Sequence, residues 1–280
     1  MSTGLAQDSR KQAFDVSKID ALPPLPETGM KIMRSFGDEF IDGNLVADIV
    51  AGDPAICARL IGIANSSYFN LREPVSDMRA VVNRVLGVDT VRTMAFALAV
   101  QRSFDTSRCP NFDSAQFWQR ALGLADACQS VALLSNLAAD ARLLAHTLGL
   151  CGGLGLLALA ALEPLRLDSV LAVHDVNSAD IDHAVAEEFG VSATKITALL
   201  AQGWSMPELL VDAYTALATQ QPEHAPMSAL LLCVNALQSD QPADELPEWL
   251  ELLGVDADQV QAAATDGASS KDADVAGSLF

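Results

Sequence analysis

The sequence predicts an all-α protein, and three observations carry that prediction. Alanine and leucine dominate a chain that is 50% apolar and only 5% aromatic, the composition of helices packed on helices. Helix-start residues followed by apolar positions at helical spacing recur from one end to the other. No convincing run of strands interrupts them.

The elements follow in order. Residues 1–20 are polar and read as loosely held. "LPPLPETGMKIMRSF" opens on a proline-braced entry, Leu22 to Pro26, and continues as a helix ending near Gly37, because proline fixes φ and suits a first turn. Asn44 is positioned to cap "LVADIVAG". Asp53-Pro54 then places a cap before a first-turn proline and opens "AICARLIGIAN", where Ile56, Leu60, Ile63 and Ala64 share one face. Ser76 begins "DMRAVVNRVLG", which Gly87 stops. "VDTVRTMAFALAVQRSF" is the next helix, strongly apolar from Met94 to Val100.

The pattern breaks between Asp105 and Asp113, the best internal boundary. Beyond it lie a long helix, "SAQFWQRALGLADACQSVALL", and the apolar stretch "LLAHTLGLCGGLGLLALAAL", Leu143 to Leu162. Shorter helices follow Pro164, with Gly190 stopping one and Ser192 capping the next. "LPEWLELLG" and "DADQVQAAATDG" read as two short terminal helices. The resulting division is a flexible segment over 1–18, a helical body over 19–238 with halves at 19–105 and 112–238, short helices over 239–265, and an acidic flexible tail over 266–280. No fixed-period repeat stands out.

A formal charge of −19 excludes a nucleic-acid binder, since neutralising phosphates needs clustered Lys and Arg. It also disfavours anionic lipid. The run of acids from Asp240 to Asp274, opposed by Lys271 alone, reads as a solvated face rather than a regulatory device. The five cysteines are scattered and never spaced as CxxC, so neither a disulfide framework nor a structural zinc site is expected. "MSTGLAQDSRKQAFD" lacks the apolar core of a signal peptide, which predicts a cytoplasmic protein. Leu143–Leu162 has the length of a bilayer span, and Gly149 and Gly153 form a small-xxx-small pair. Its neighbours are amphipathic, so a buried core helix is predicted and no membrane partner.

Four glycines fall within residues 149–155, although each costs about 1 kcal/mol relative to alanine inside a helix. That oddity asks what the Gly152-Gly153 pair replaces. Catalytic motifs are otherwise missing: there is no nucleophile elbow, phosphate loop or dinucleotide fingerprint. His174-Asp175 and Asp182-His183 are the only gathered metal-type residues, and a charged surface turn accounts for them better. His146 reads as a core histidine donating to a carbonyl, and Cys151 as a buried, inert thiol. Arg59, Arg84, Arg92 and Arg120 are the cations that a bound nucleotide would want, but spacing does not bring them together.

Several stretches in order, "LPPLP", "DPAICARLIGIANSSYFN", "VSDMRAVVNRVLGVDTVRTMAFALAV", "FDSAQFWQRALGLADACQSVA" and "FGVSATKITALLAQGWSMPELLVDAY", resemble the HDOD family, HD-related output domains of bacterial signalling proteins. The resemblance covers about Ile19 to Leu237. It implies a multi-helix fold with an N-terminal helical half packed on a C-terminal HD-like bundle. In the related HD phosphohydrolases a His-Asp pair and further histidines hold the metal. The resemblance places that pair at Gly152-Gly153 and the other ligand positions near Gln119-Arg120 and at Ala193, none of which offers a ligand. It therefore implies a non-enzymatic regulatory module with no cofactor or metal, acting alone on another signalling protein; a homodimer stays open. Tyr68, Phe69, Trp118 and Trp204 are the expected partner contacts. The competing expectations are a residual metal-dependent phosphohydrolase using His174, Asp175, Asp182 and His183, and a nucleotide-sensing domain.

Overall fold

The computed structural model describes residues 13–22, 24–38, 40–178, 180–221, 225–238 and 244–268. Among them the secondary structure is helical, with no strand. The N-terminal half contains α1 (Glu27–Ser35), α2 (Gly43–Ala51), α3 (Pro54–Ala64), the single turn α4 (Met78–Ala80) and α5 (Val88–Gln101). The C-terminal half runs from α6 (Ser114–Leu134) and α7 (Ala139–Cys151) through α8 (Leu154–Leu162), α9 (Pro164–Leu171), α10 (Ile181–Phe189), α11 (Ala193–Gly203), α12 (Glu208–Ala218) and α13 (Pro226–Gln238). Two further helices, α14 (Leu246–Leu253) and α15 (Ala257–Ala268), close it.

Local chemistry sets the helix ends. Asp53 accepts from the Ala55 and Ile56 amides at 3.1 and 3.2 Å, and Pro54 follows it in the first turn. Ser192 caps α11 through the Lys195 amide at 3.1 Å. Gly87 (φ 89°) and Gly190 (φ 69°) stop their helices in backbone conformations that favour glycine. Two start signals move. Asp42, not Asn44, caps α2, because its carboxylate reaches the Asn44 amide at 2.9 Å. Asp77 rather than Ser76 caps α4 through the Ala80 amide. After that single turn the chain continues as a π-helix, Val81–Leu86.

Residues 13–18 belong to the folded body rather than to a loose arm. Phe14 is buried, donates its amide to the Phe189 carbonyl at 2.7 Å and packs edge-on against that ring. The rest of the predicted flexible segment, 1–12, lies outside the described residues, as do 269–280 of the predicted acidic tail. The boundary segment 105–113 is a loop, yet it is stitched to α9: the Asn111 amide donates to Asp168 at 2.7 Å. One continuous core of buried side chains runs through both halves, so each half supplies the apolar surface that the other covers.

The long apolar stretch is two helices. Residues 139–162 are long and apolar enough to cross a membrane, but 78% of their most apolar window is buried in the protein. The stretch breaks at Gly152-Gly153, where Gly153 (φ −90°, ψ 1°) leaves helical geometry.

Candidate functional site

The break between α7 and α8 places the Gly152-Gly153 pair at a corner that α6, α11 and α13 enclose. Each glycine there faces a close neighbour. A Cβ on Gly149 would lie 2.5–2.6 Å from the backbone of Leu124 and Ala125, so α6 and α7 cross at backbone contact. A Cβ on Gly153 would lie 2.8 Å from Cε2 of Phe117, and one on Gly152 would sit 3.4 Å from Leu231. On Gly155 it would overlap the Ala193 carbonyl oxygen outright. Glycine is thus required for close approach at 149 and 155, whereas at 153 it leaves room for an aromatic ring.

Thr197 ties the corner. Its Oγ1 accepts from the Gly155 amide at 2.9 Å and lies 3.2 Å from both the Gly152 and Ala193 carbonyls, to which its one proton is shared. Below it the fully buried Tyr214 hydroxyl donates to the Leu148 carbonyl at 2.7 Å. Arg120, one turn beyond Phe117 on α6, donates to the Asn235 side chain of α13 at 3.2 Å. Burial pulls the Arg120 guanidinium below the usual arginine range, and the nearby Asp175 carboxylate works against that shift.

All four predicted positions therefore converge: Gly152 and Gly153 at the corner, Ala193 across from Gly155, and Arg120 just above Phe117. Phe117, Thr197, Tyr214 and Asn235 complete it. Their part was not legible, because an Arg120–Asn235 pair spans 115 positions and a phenylalanine over a glycine leaves no periodic trace.

The alternative HD-like residues have other partners, Asp175 beside Arg120 and bonded by the Asn177 amide at 2.7 Å. His174 Nδ1 pairs with Asp180 at 2.9 Å. Asp182 accepts from the Thr194 amide and hydroxyl at 2.9 and 3.1 Å, and exposed His183 faces Glu187 at 3.7 Å. Among the described residues no three His, Cys, Asp or Glu side chains gather in a way that could hold a metal ion. His146 corrects its expectation: its partner is the Asp126 carboxylate at 3.4 Å, not a carbonyl, and its ring stacks on Phe36. Cys151 is fully buried, and that burial pushes its thiol far above the reactive range.

Two of the candidate nucleotide cations have separate partners. Arg92 donates to the Ser35 carbonyl at 2.6 Å and pairs with Asp89, while Arg120 belongs to the corner. A cleft of about 720 Å³ opens away from the corner, lined by Val16, Ile19, Leu22, Leu199, Leu200 and Trp204.

Of the expected partner contacts, Tyr68 is 52% exposed. Phe69 packs against it at 5.0 Å and is half-buried on the core. The two tryptophans are corrected. Trp118 is wholly buried against Phe117, and Trp204 is buried against Phe104, because each fills space between helices. The Tyr68 loop is held at its base: Asn65 donates to the Val75 carbonyl at 2.7 Å and accepts from the Val75 amide at 2.8 Å.

A wholly helical body, two halves sharing one core and folded around a glycine corner, is the fold of an HD-related domain. The HDOD domain model matches residues 22–220, and the chain belongs to the HDOD family. Solved structures agree on the fold. A signal-transduction candidate from Marinobacter aquaeolei VT8 superposes with a TM-score of 0.75 at 24% identity over 96% of this chain. This chain spans 62% of that protein's length. An HDOD domain protein of unknown function from Geobacter sulfurreducens gives 0.69 at 21% identity, covering 94% of this chain and 95% of its own. A phosphohydrolase candidate from Shewanella amazonensis SB2B gives 0.64 at 26% identity, covering 94% and 97%. No curated protein matches the chain.

Proposed function

We propose that this chain is a non-catalytic regulatory module of bacterial signal transduction, acting in the cytoplasm through contact with another signalling protein. The observation that carries the reading is the filled corner. The Phe117 ring occupies the space that any side chain at 153 would need, and the Ala193 carbonyl closes on Gly155 beside it. Substrate and metal ions need room and donor atoms. This corner supplies packed carbon, hydroxyls of Thr197 and Tyr214 already bonded to backbone carbonyls, and an Arg120–Asn235 pair beside the Asp175 carboxylate. Tyr68 supplies the complementary feature, an exposed aromatic on a loop clamped by Asn65, because rigid aromatic anchors dominate protein interfaces.

Metal analysis of protein purified without chelator, together with phosphodiester and phosphomonoester turnover assays, tests the first half. Neither stoichiometric metal nor turnover is expected. Bound iron, manganese or zinc that is lost on His174→Ala, or measurable turnover, would overturn it. Affinity capture from the native host with Tyr68→Ala/Phe69→Ala tests the second half. The double variant is expected to lose a specific protein that the native chain retains, and unchanged capture would remove the loop as the contact.

A further inference from the structure

A second surface lies at the opposite end of α6, where helices beyond the matched residues 22–220 meet it. The Asn136 amide donates to the Leu253 carbonyl at 2.9 Å, which joins the end of α6 to the end of α14. Three exposed large apolar side chains flank that junction in sequence: Leu133 at 65%, Leu134 at 51% and Leu252 at 41%. Exposed leucines scattered singly need no explanation, but a group at one junction does. Glu248 lies one turn before Leu252 on the same face, Glu251 adjoins it, and Asp258 follows on α15; all three are exposed. The charge on α14 and α15 has one sign. From residue 196 to 270 the chain has eleven Asp and Glu and no Lys or Arg.

We propose that the Leu133–Leu134–Leu252 surface docks a lysine- or arginine-rich amphipathic segment of a protein partner. The leucines receive its apolar face, and Glu248, Glu251 and Asp258 meet its cations. The charge decides among occupants. A second copy of this chain would bring like charge to like, and anionic lipid or nucleic acid would be repelled. This proposal rests on the reading of the chain as a binding module but uses a different surface from Tyr68.

The probe is a synthetic helical peptide of about 18 residues with leucines on one face and lysines on the other. Its binding to the full chain is followed by calorimetry. Leu133→Ser/Leu134→Ser and Glu248→Gln/Glu251→Gln are each expected to weaken binding about tenfold or more, a change of about 1.4 kcal/mol. Added salt weakens it further. Glu208→Gln/Asp212→Gln, on α12, leaves it unchanged, and a peptide with glutamate in place of lysine does not bind. If the leucine variant loses helical signal, Glu248→Lys/Glu251→Lys carries the same test from exposed positions. Peptide binding that ignores both changes, or no binding at all, overturns the proposal. So does a patch that instead drives self-association in sedimentation or binding to vesicles. Failure here with Tyr68-dependent capture intact removes this surface alone. Loss of both removes the binding-module reading.

Discussion

Replacing Gly155 by alanine adds one methyl group where α8 meets α11, and that methyl overlaps the Ala193 carbonyl oxygen. Backbone on both sides cannot rotate out of the way as a side-chain tip would, so the two helices must separate. Overpacking of a tight contact costs about 1–3 kcal/mol. Separation also strains the Gly155 amide bond to Thr197, and an unsatisfied buried donor adds about 1–3 kcal/mol. Alanine's better helix propensity returns at most about 1 kcal/mol. The net loss is about 1–5 kcal/mol, and at about 2–4 °C per kcal/mol for a chain of this size the melting temperature falls by about 2–20 °C. Gly152→Ala is the matched control. Its Cβ would meet Leu231 at 3.4 Å in ordinary contact with helical backbone, so a change within about 1 kcal/mol is expected. Thermal unfolding by circular dichroism on both variants is the assay. A Gly155→Ala midpoint within about 2 °C of Gly152→Ala would refute the claim that glycine is there for backbone contact.

Three further predictions follow from contacts already described. Asp53→Ala removes a two-amide cap and the partner of Arg102, whose Nη1 lies 2.9 and 3.0 Å from the two carboxylate oxygens; a loss of about 1–2 kcal/mol in urea unfolding is expected. Arg102→Ala should cost less than half as much, since that side chain is 55% exposed, and equal losses would show that the ion pair rather than the cap matters. Asn65→Ala frees the base of the Tyr68 loop, so limited proteolysis is expected to cut within residues 66–74 several-fold faster while the global midpoint moves little; unchanged cleavage would refute the clamp. In the thiol series, burial pushes Cys109 up to about 11 and Cys233 to about 12, with Cys128 and Cys151 higher still. A thiol reagent at pH 8 should therefore modify half-buried Cys57 first and the other four only on unfolding, and rapid reaction of two or more in the native state would contradict the burial.

Much of this architecture was legible in the sequence, and the parts that were not share a cause. Asp53-Pro54, Gly87, Gly190 and Ser192 act through neighbours two to four residues away, so their role is written locally. The α7–α8 break was not readable, because apolar residues continue unbroken through Gly152-Gly153 while the turn depends on Thr197 and Phe117 from other helices. The buried state of Trp118 and Trp204 likewise depends on which helices meet around them. At the corner the resemblance identified Gly152, Gly153, Arg120 and Ala193; what fills the space among them needed coordinates. Asn44 lost the α2 cap to Asp42, which a two-residue shift in a polar stretch makes indistinguishable by composition.

The ring over Gly153 also constrains the order in which such a chain could change. A side chain at 153 meets the Phe117 ring while it is in place, so enlarging 153 calls for a displaced ring or a smaller residue at 117 first. That earlier step opens a void in the core with no immediate gain, since a lone Phe→Ala change costs about 3–5 kcal/mol. Packing thus ties residues 117 and 153 together, so that neither grows or shrinks without a cost at the other.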